Sequence, residues 1–64
     1  MIFTTGFYET RDGRIVEIKK IYQTQPFAEG VLDNQFYGWH TNGRANPFAE
    51  SPRDIVRFIS RERQ

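Results

Sequence analysis

Two dipeptides, Asp12-Gly13 and Asn42-Gly43, constrain the fold more than any others. Each follows a run rich in aromatic and β-branched residues, and each is a strong signal for reversing an extended chain. Gly tolerates positive φ, and Asp or Asn can bond its own backbone, so little else suits such sites as well as a hairpin turn. The first turn lies within TGFYETRDGRIVEIKKIY, Thr5 to Tyr22. From Ile2 to Glu9, Phe3 and Phe7 share one side of an extended chain, with Ile2 and Tyr8 on the other, and Ile15 to Tyr22 resumes with β-branched residues. A two-residue loop sets Arg11 opposite Arg14, Phe7 opposite Ile18 and Phe3 opposite Tyr22, which places apolar beside apolar. A three-residue loop with a bulge shifts that register by one, and both remain open.

Beyond the first hairpin, Pro26 cannot donate to a ladder, while Gly30-Val31-Leu32 and Gln35 to His40 read as strand material interrupted by Asp33-Asn34. One long bulged strand and two short strands joined at Asp33-Asn34 fit equally well. A loop through Pro47 leads to Ser51-Pro52-Arg53-Asp54, which reads as a helix start. Ser51 is the N-cap, Pro52 suits the first helical position, and Asp54 takes the acidic capping-box position. Ile55, Val56, Phe58 and Ile59 follow at the three-four spacing of a helix that packs on a sheet. The expected architecture is α+β: an antiparallel sheet of three to four strands with one C-terminal helix packed on one face. The whole chain, 1–64, is expected to form a single small domain, with a β-hairpin at 2–22, a strand and hairpin region at 29–45 and a helix at 52–62.

A chain of 64 residues has little surface to bury, and small domains usually recruit a staple. Here there is no Cys and only one His, His40, so neither a disulfide nor a thiolate or multi-histidine metal site is expected, and no cofactor is implied. Ten aromatic residues (six Phe, three Tyr and one Trp) supply the core material instead. No run reaches the roughly 20 apolar residues of a membrane span, and MIFTTGFYETR lacks the pattern of a signal peptide, so a cytoplasmic location is expected. The formal net charge of +1 is far from the basic excess of a dedicated nucleic-acid binder.

The order of pieces is similar to that of a set of short uncharacterised proteins encoded by bacteriophages and prophages of enteric bacteria. The resemblance rests on Tyr8-x-Thr10-Arg11-Asp12-Gly13-Arg14-x-Val16-x-Ile18, then Gly38-Trp39 and Gly43-Arg44, then Glu50-Ser51-Pro52-x-Asp54-Ile55-Val56. It spans about Tyr8 to Val56. The chain departs from those proteins in the YQTQPFAE stretch, where they carry a Gly/Asp-rich loop, and in its Arg-rich tail. The resemblance implies an accessory protein acting inside an infected or lysogenic cell, and it implies no chemistry.

No residue constellation points to catalysis, so no enzymatic activity is expected. His40 beside Trp39 lacks a nucleophile or a paired carboxylate, and Glu9, Asp12, Glu50 and Asp54 stand where turns and helix starts use acids. Surplus aromatics carry the main functional expectation. A helix covers one face of a small sheet, which leaves Phe27, Tyr37, Trp39 and Phe48 as candidates for binding a host or phage protein or a second copy. The alternative is a small DNA-binding domain. In outline it is similar to the arm-site domains of tyrosine integrases, with Arg11, Arg14, Arg44, Arg53, Arg57 and Arg61 on phosphate. Arg53, Arg57 and Arg61 fall at i+4 spacing and would line one helix face, with Arg63 close behind. Lys19 and Lys20 would point to opposite faces of their strand, and Glu9, Asp12 and Glu17 interrupt the basic set.

Overall fold

Both Gly turns form, and they form the same way. The computed structural model of the chain describes residues 1–22 and 24–62. In Thr10-Arg11-Asp12-Gly13-Arg14, the Thr10 N–H donates to Arg14 O and the Gly13 N–H to Thr10 O, with Gly13 at φ +90. In His40-Thr41-Asn42-Gly43-Arg44, the corresponding bonds run from His40 to Arg44 and from Gly43 to His40, with Gly43 at φ +98. Each is a three-residue loop that ends in a left-handed Gly, rather than a two-residue turn. The two-residue turn is instead at Asp33-Asn34, where both residues take positive φ, 53 and 65, without any Gly.

Five strands result: β1 (Gly6–Thr10), β2 (Ile15–Tyr22), β3 (Phe27–Leu32), β4 (Gln35–His40) and β5 (Ile55–Ser60). They form one antiparallel sheet in the order β4-β3-β2-β1-β5. The three-residue loop fixes Tyr8 opposite Val16 and Gly6 opposite Ile18, one step away from the pairing of Phe7 with Ile18. That slip decides which residues form the core, because it turns every side chain to the other face. Tyr8, Val16 and Ile18 point inward and are buried, while Phe7 faces outward.

The expected C-terminal helix is absent among the described residues, and the α+β reading is corrected to an all-β fold. The start signal itself is real. Ser51 Oγ accepts from the Arg53 N–H (3.2 Å), Asp54 Oδ2 accepts from the Ser51 N–H (3.0 Å), and the Asp54 N–H donates to Ser51 O (3.0 Å). These capping-box contacts close a single turn, after which the chain extends. Two forces decide this. A helix of about eleven residues is marginal by itself, whereas Ile55, Val56 and Ile59 are β-branched and the outer edge of β1 would otherwise be unpaired.

Pairing β5 with β1 also curls the sheet. Laid flat, β4 and β5 would stand four strand spacings apart, roughly 19 Å. Yet Trp39 on β4 donates its indole N–H to Arg53 O (2.8 Å), and the Ile55 N–H donates to Gly43 O (2.8 Å). The inside of the curl is one cluster made of Ile2, Tyr8, Val16, Ile18, Ala28, Leu32, Trp39 and Ile55. A bulge between Ile18 and Lys20 helps β2 bend. It also leaves Lys19 and Lys20 both exposed instead of on opposite faces.

Candidate binding surface

Polar side chains hold the loops at one end of the curl. Asp54 is 1% exposed, and its carboxylate accepts from the Ala45 N–H (2.9 Å) and the Ser51 N–H (3.0 Å), with Arg11 Nη2 at 3.4 Å. Burial pushes the Asp54 carboxyl up, but the two backbone donors and Arg11 outweigh it, so the group sits below the ordinary carboxylate value. Arg14 bridges Asp12 (2.8 Å) and Asp33 (2.7 Å), and Arg57 pairs with Glu9 (2.6 Å). The Arg14 hydrogen bond, joined by one from Thr10, lowers the Asp12 pKa.

The arginines of the DNA-binding alternative are therefore dispersed and partly neutralised. Arg11, Arg14 and Arg57 are in ion pairs. Arg53 lies in the turn before β5 with its guanidinium 4.6 Å from the Tyr37 ring centre, and its buried Nε has no hydrogen-bond partner among the described residues. Arg44 closes the second Gly loop, and Arg61 lies beyond the end of β5. The stripe of Arg53, Arg57 and Arg61 depended on a helix, and so did the outline likeness to integrase arm-site domains. Arg63 lies outside the described residues.

The aromatic candidates also separate. Trp39 is 0% exposed, so it belongs to the core and offers no surface to a partner. Tyr37 is half-buried between Trp39 and Arg53. Phe27 faces outward from β3, packs against Tyr22 and edge-on against His40, and lies across Gly38 of β4, where a Cβ would collide with its ring. Phe48, 94% exposed, projects from the 45–50 loop. Phe36, which the sequence sets on the face opposite Tyr37 and Trp39 but which is not among the binding candidates, is 74% exposed on the outer face of β4 opposite Val31. Strict alternation along QFYGWH carried the signal: once Trp39 is inside, Phe36 must be outside.

One stretch of backbone is left open. Leu32 pairs with Gln35 across the two-residue turn, so Gln35, Tyr37 and Trp39 bond to β3 while Phe36, Gly38 and His40 turn their N–H and C=O groups away from it. The outer bonds confirm the alternation. His40 N–H reaches Arg44 O and Thr41 N–H reaches Pro26 O, on opposite sides of the strand. That leaves the outward groups of Phe36 and Gly38 without a partner among the described residues. No family model matches the chain, and neither a curated protein nor a solved structure does. Among the described residues, no helix is long and apolar enough to cross a membrane.

Proposed function

We propose that the chain is a non-catalytic accessory protein of bacteriophage or prophage origin that acts in the bacterial cytoplasm by binding protein. The observation that carries this reading is Phe36, a large aromatic on the outer face of an edge strand that holds no Lys, Arg, Asp or Glu. Single exposed apolar residues are ordinary, but an exposed aromatic beside unpaired strand backbone is the combination that peptide-adding interfaces use. The order of motifs shared with phage and prophage proteins supports the setting and leaves the partner undefined. The DNA-binding alternative has less support, because Arg11, Arg14 and Arg57 already hold carboxylates.

Salt separates the two classes. A complex built on aromatic burial changes little with ionic strength, whereas one resting on about six phosphate contacts weakens by about 10³-fold between about 50 and about 200 mM salt. The expected result is a salt-tolerant protein complex that weakens on Phe36→Ala and survives Arg57→Ala. Sub-micromolar binding to duplex DNA at physiological salt, lost on Arg44→Ala or Arg61→Ala, would replace this reading with the alternative.

A further inference from the structure

Resting on the reading that the chain acts by binding protein, we propose that its partner is a second copy, joined edge to edge through β4 in an antiparallel pair whose two-fold axis passes between the two Tyr37 residues. Three observations select this arrangement. The open backbone of β4 consists of the outward groups of Phe36 and Gly38, because those of His40 are taken by Arg44 and Gly43. A two-fold at Tyr37 sets Phe36 opposite Gly38 of the second copy, and Gly38 opposite its Phe36. All four open groups of each copy then find partners. Shifting the axis to Gly38 would set Phe36 against His40, whose outward groups are occupied, and half of the bonds would be lost.

The side chains fit the same register. Phe36 comes to lie beside Gly38 of the second copy, which lacks a Cβ and already carries a ring, Phe27, on that face. On the other face Gln35 of the second copy sits at the strand position beside Trp39, near the Arg53 guanidinium that lies over the Tyr37 ring. Charge favours the antiparallel sense. One end of β4 carries Asp33, its side chain 66% exposed although Arg14 binds Oδ2, and the loop that follows the other end carries Arg44. The two-fold brings each Asp33 turn against the Arg44 loop of the second copy. The contact is short, so the pair is weak and concentration-dependent.

Sedimentation velocity from about 10 µM to about 1 mM, the range in which so small an interface associates, reads the equilibrium. Two variants test the register. In chemically synthesised protein, N-methylation of the Gly38 amide removes one outward donor and blocks the edge, while the bonds to β3 remain. Tyr37→Cys places a thiol at a non-hydrogen-bonded pair with Cα atoms about 4.5 Å apart, within disulfide range. Its rate of oxidative dimerisation is compared with that of Phe48→Cys, which exposure alone would make the faster. The expected results are a reversible dimer, its loss on N-methylation, and cross-linking at least about fivefold faster for Tyr37→Cys. A native circular dichroism spectrum qualifies each variant, and the N-methylated protein carries the test if Tyr37→Cys does not fold. A protein that stays monomeric to about 1 mM, a dimer indifferent to Gly38 N-methylation, or faster cross-linking at Phe48→Cys overturns the proposal. A monomer that still holds another protein through Phe36 overturns self-pairing alone and leaves the binding reading standing.

Discussion

Removing the Asp54 carboxylate should be the most damaging single polar change in this chain. Asp54 accepts from two backbone N–H groups, of Ala45 and Ser51, and meets Arg11, all from a site with almost no solvent. Asp54→Ala strands both donors, at about 1–3 kcal/mol each, and frees Arg11, whose half-exposed side chain returns to water at little cost. The expected loss is about 2–5 kcal/mol, against a total stability of about 3–10 kcal/mol for a domain of this size. Asp54→Asn keeps one acceptor and turns an amide NH₂ toward the other donors, so it should cost about half as much. Urea denaturation followed by the fluorescence of Trp39, the one Trp and a buried one, measures both. The same residue predicts the pH dependence. Its folded pKa lies below the unfolded value of 3.8, so between the two the unfolded chain binds more protons and stability rises with pH. The contribution is complete above the unfolded value and disappears as pH falls through the folded one. Asp54→Asn should therefore flatten the acid limb of the stability curve. A loss under about 1 kcal/mol for Asp54→Ala, or an unchanged acid limb for Asp54→Asn, would refute this account of the network.

The two Gly loops share a conformation but differ in surroundings: a Cβ at Gly13 meets nothing, while one at Gly43 would lie 2.6 Å from Ile55 O. Gly43→Val should therefore lower the denaturation midpoint well beyond Gly13→Val, which carries only the strain of positive φ, about 1 kcal/mol; equal midpoints would contradict it. Trp39→Ala should cost about 3–5 kcal/mol by opening a cavity and leaving Arg53 O unpaired, so calorimetry should find it largely unfolded. A folded Trp39→Ala that retains binding partners would show that this side chain is not part of the core.

Turn positions were legible because Gly at positive φ has few substitutes, and both Gly loops stand where the sequence puts them. Register was not. Between Phe3 and Tyr22 the apolar residues fall on both faces, so the two loop lengths each produced an apolar row, and only the three-residue loop put Tyr8 rather than Phe7 inside. The C-terminal segment failed for a related reason. Ile55, Phe58 and Ile59 satisfy helical spacing, and the bulged pairing of β5 with β1 blurs the alternation that would have signalled a strand. Nothing local in Ser51 to Ile59 tells the chain that β1 needs a partner, because that need arises only once the first hairpin exists. Trp39 was misplaced as a consequence. A flat sheet with one helix leaves aromatics over, whereas a curled sheet has an interior that takes Tyr8 and Trp39 from strands far apart in its order.

The two edges of the sheet are treated differently, and the difference bears on function. The β5 edge follows a pairing broken at two places, carries Arg57, and has its Ile55 N–H tied to Gly43. Bulges and charge of this kind are how sheets discourage further pairing. Along β4 the register to β3 is unbroken from Phe27 and His40 to Leu32 and Gln35, and the strand holds no Lys, no Pro and no ionised carboxylate. A domain of 64 residues with no disulfide has little stability to spare, and an unguarded edge exposes it to indiscriminate association. What limits that hazard is the brevity of the opening: among the described residues, only Phe36 and Gly38 of β4 present unpaired backbone along this edge, because the Gly43 loop occupies His40 and the tight Asp33-Asn34 turn ends the strand at the other side. An edge kept short at both ends admits one partner strand in one register and gives a growing sheet no room, which is the condition a specific contact through β4 requires.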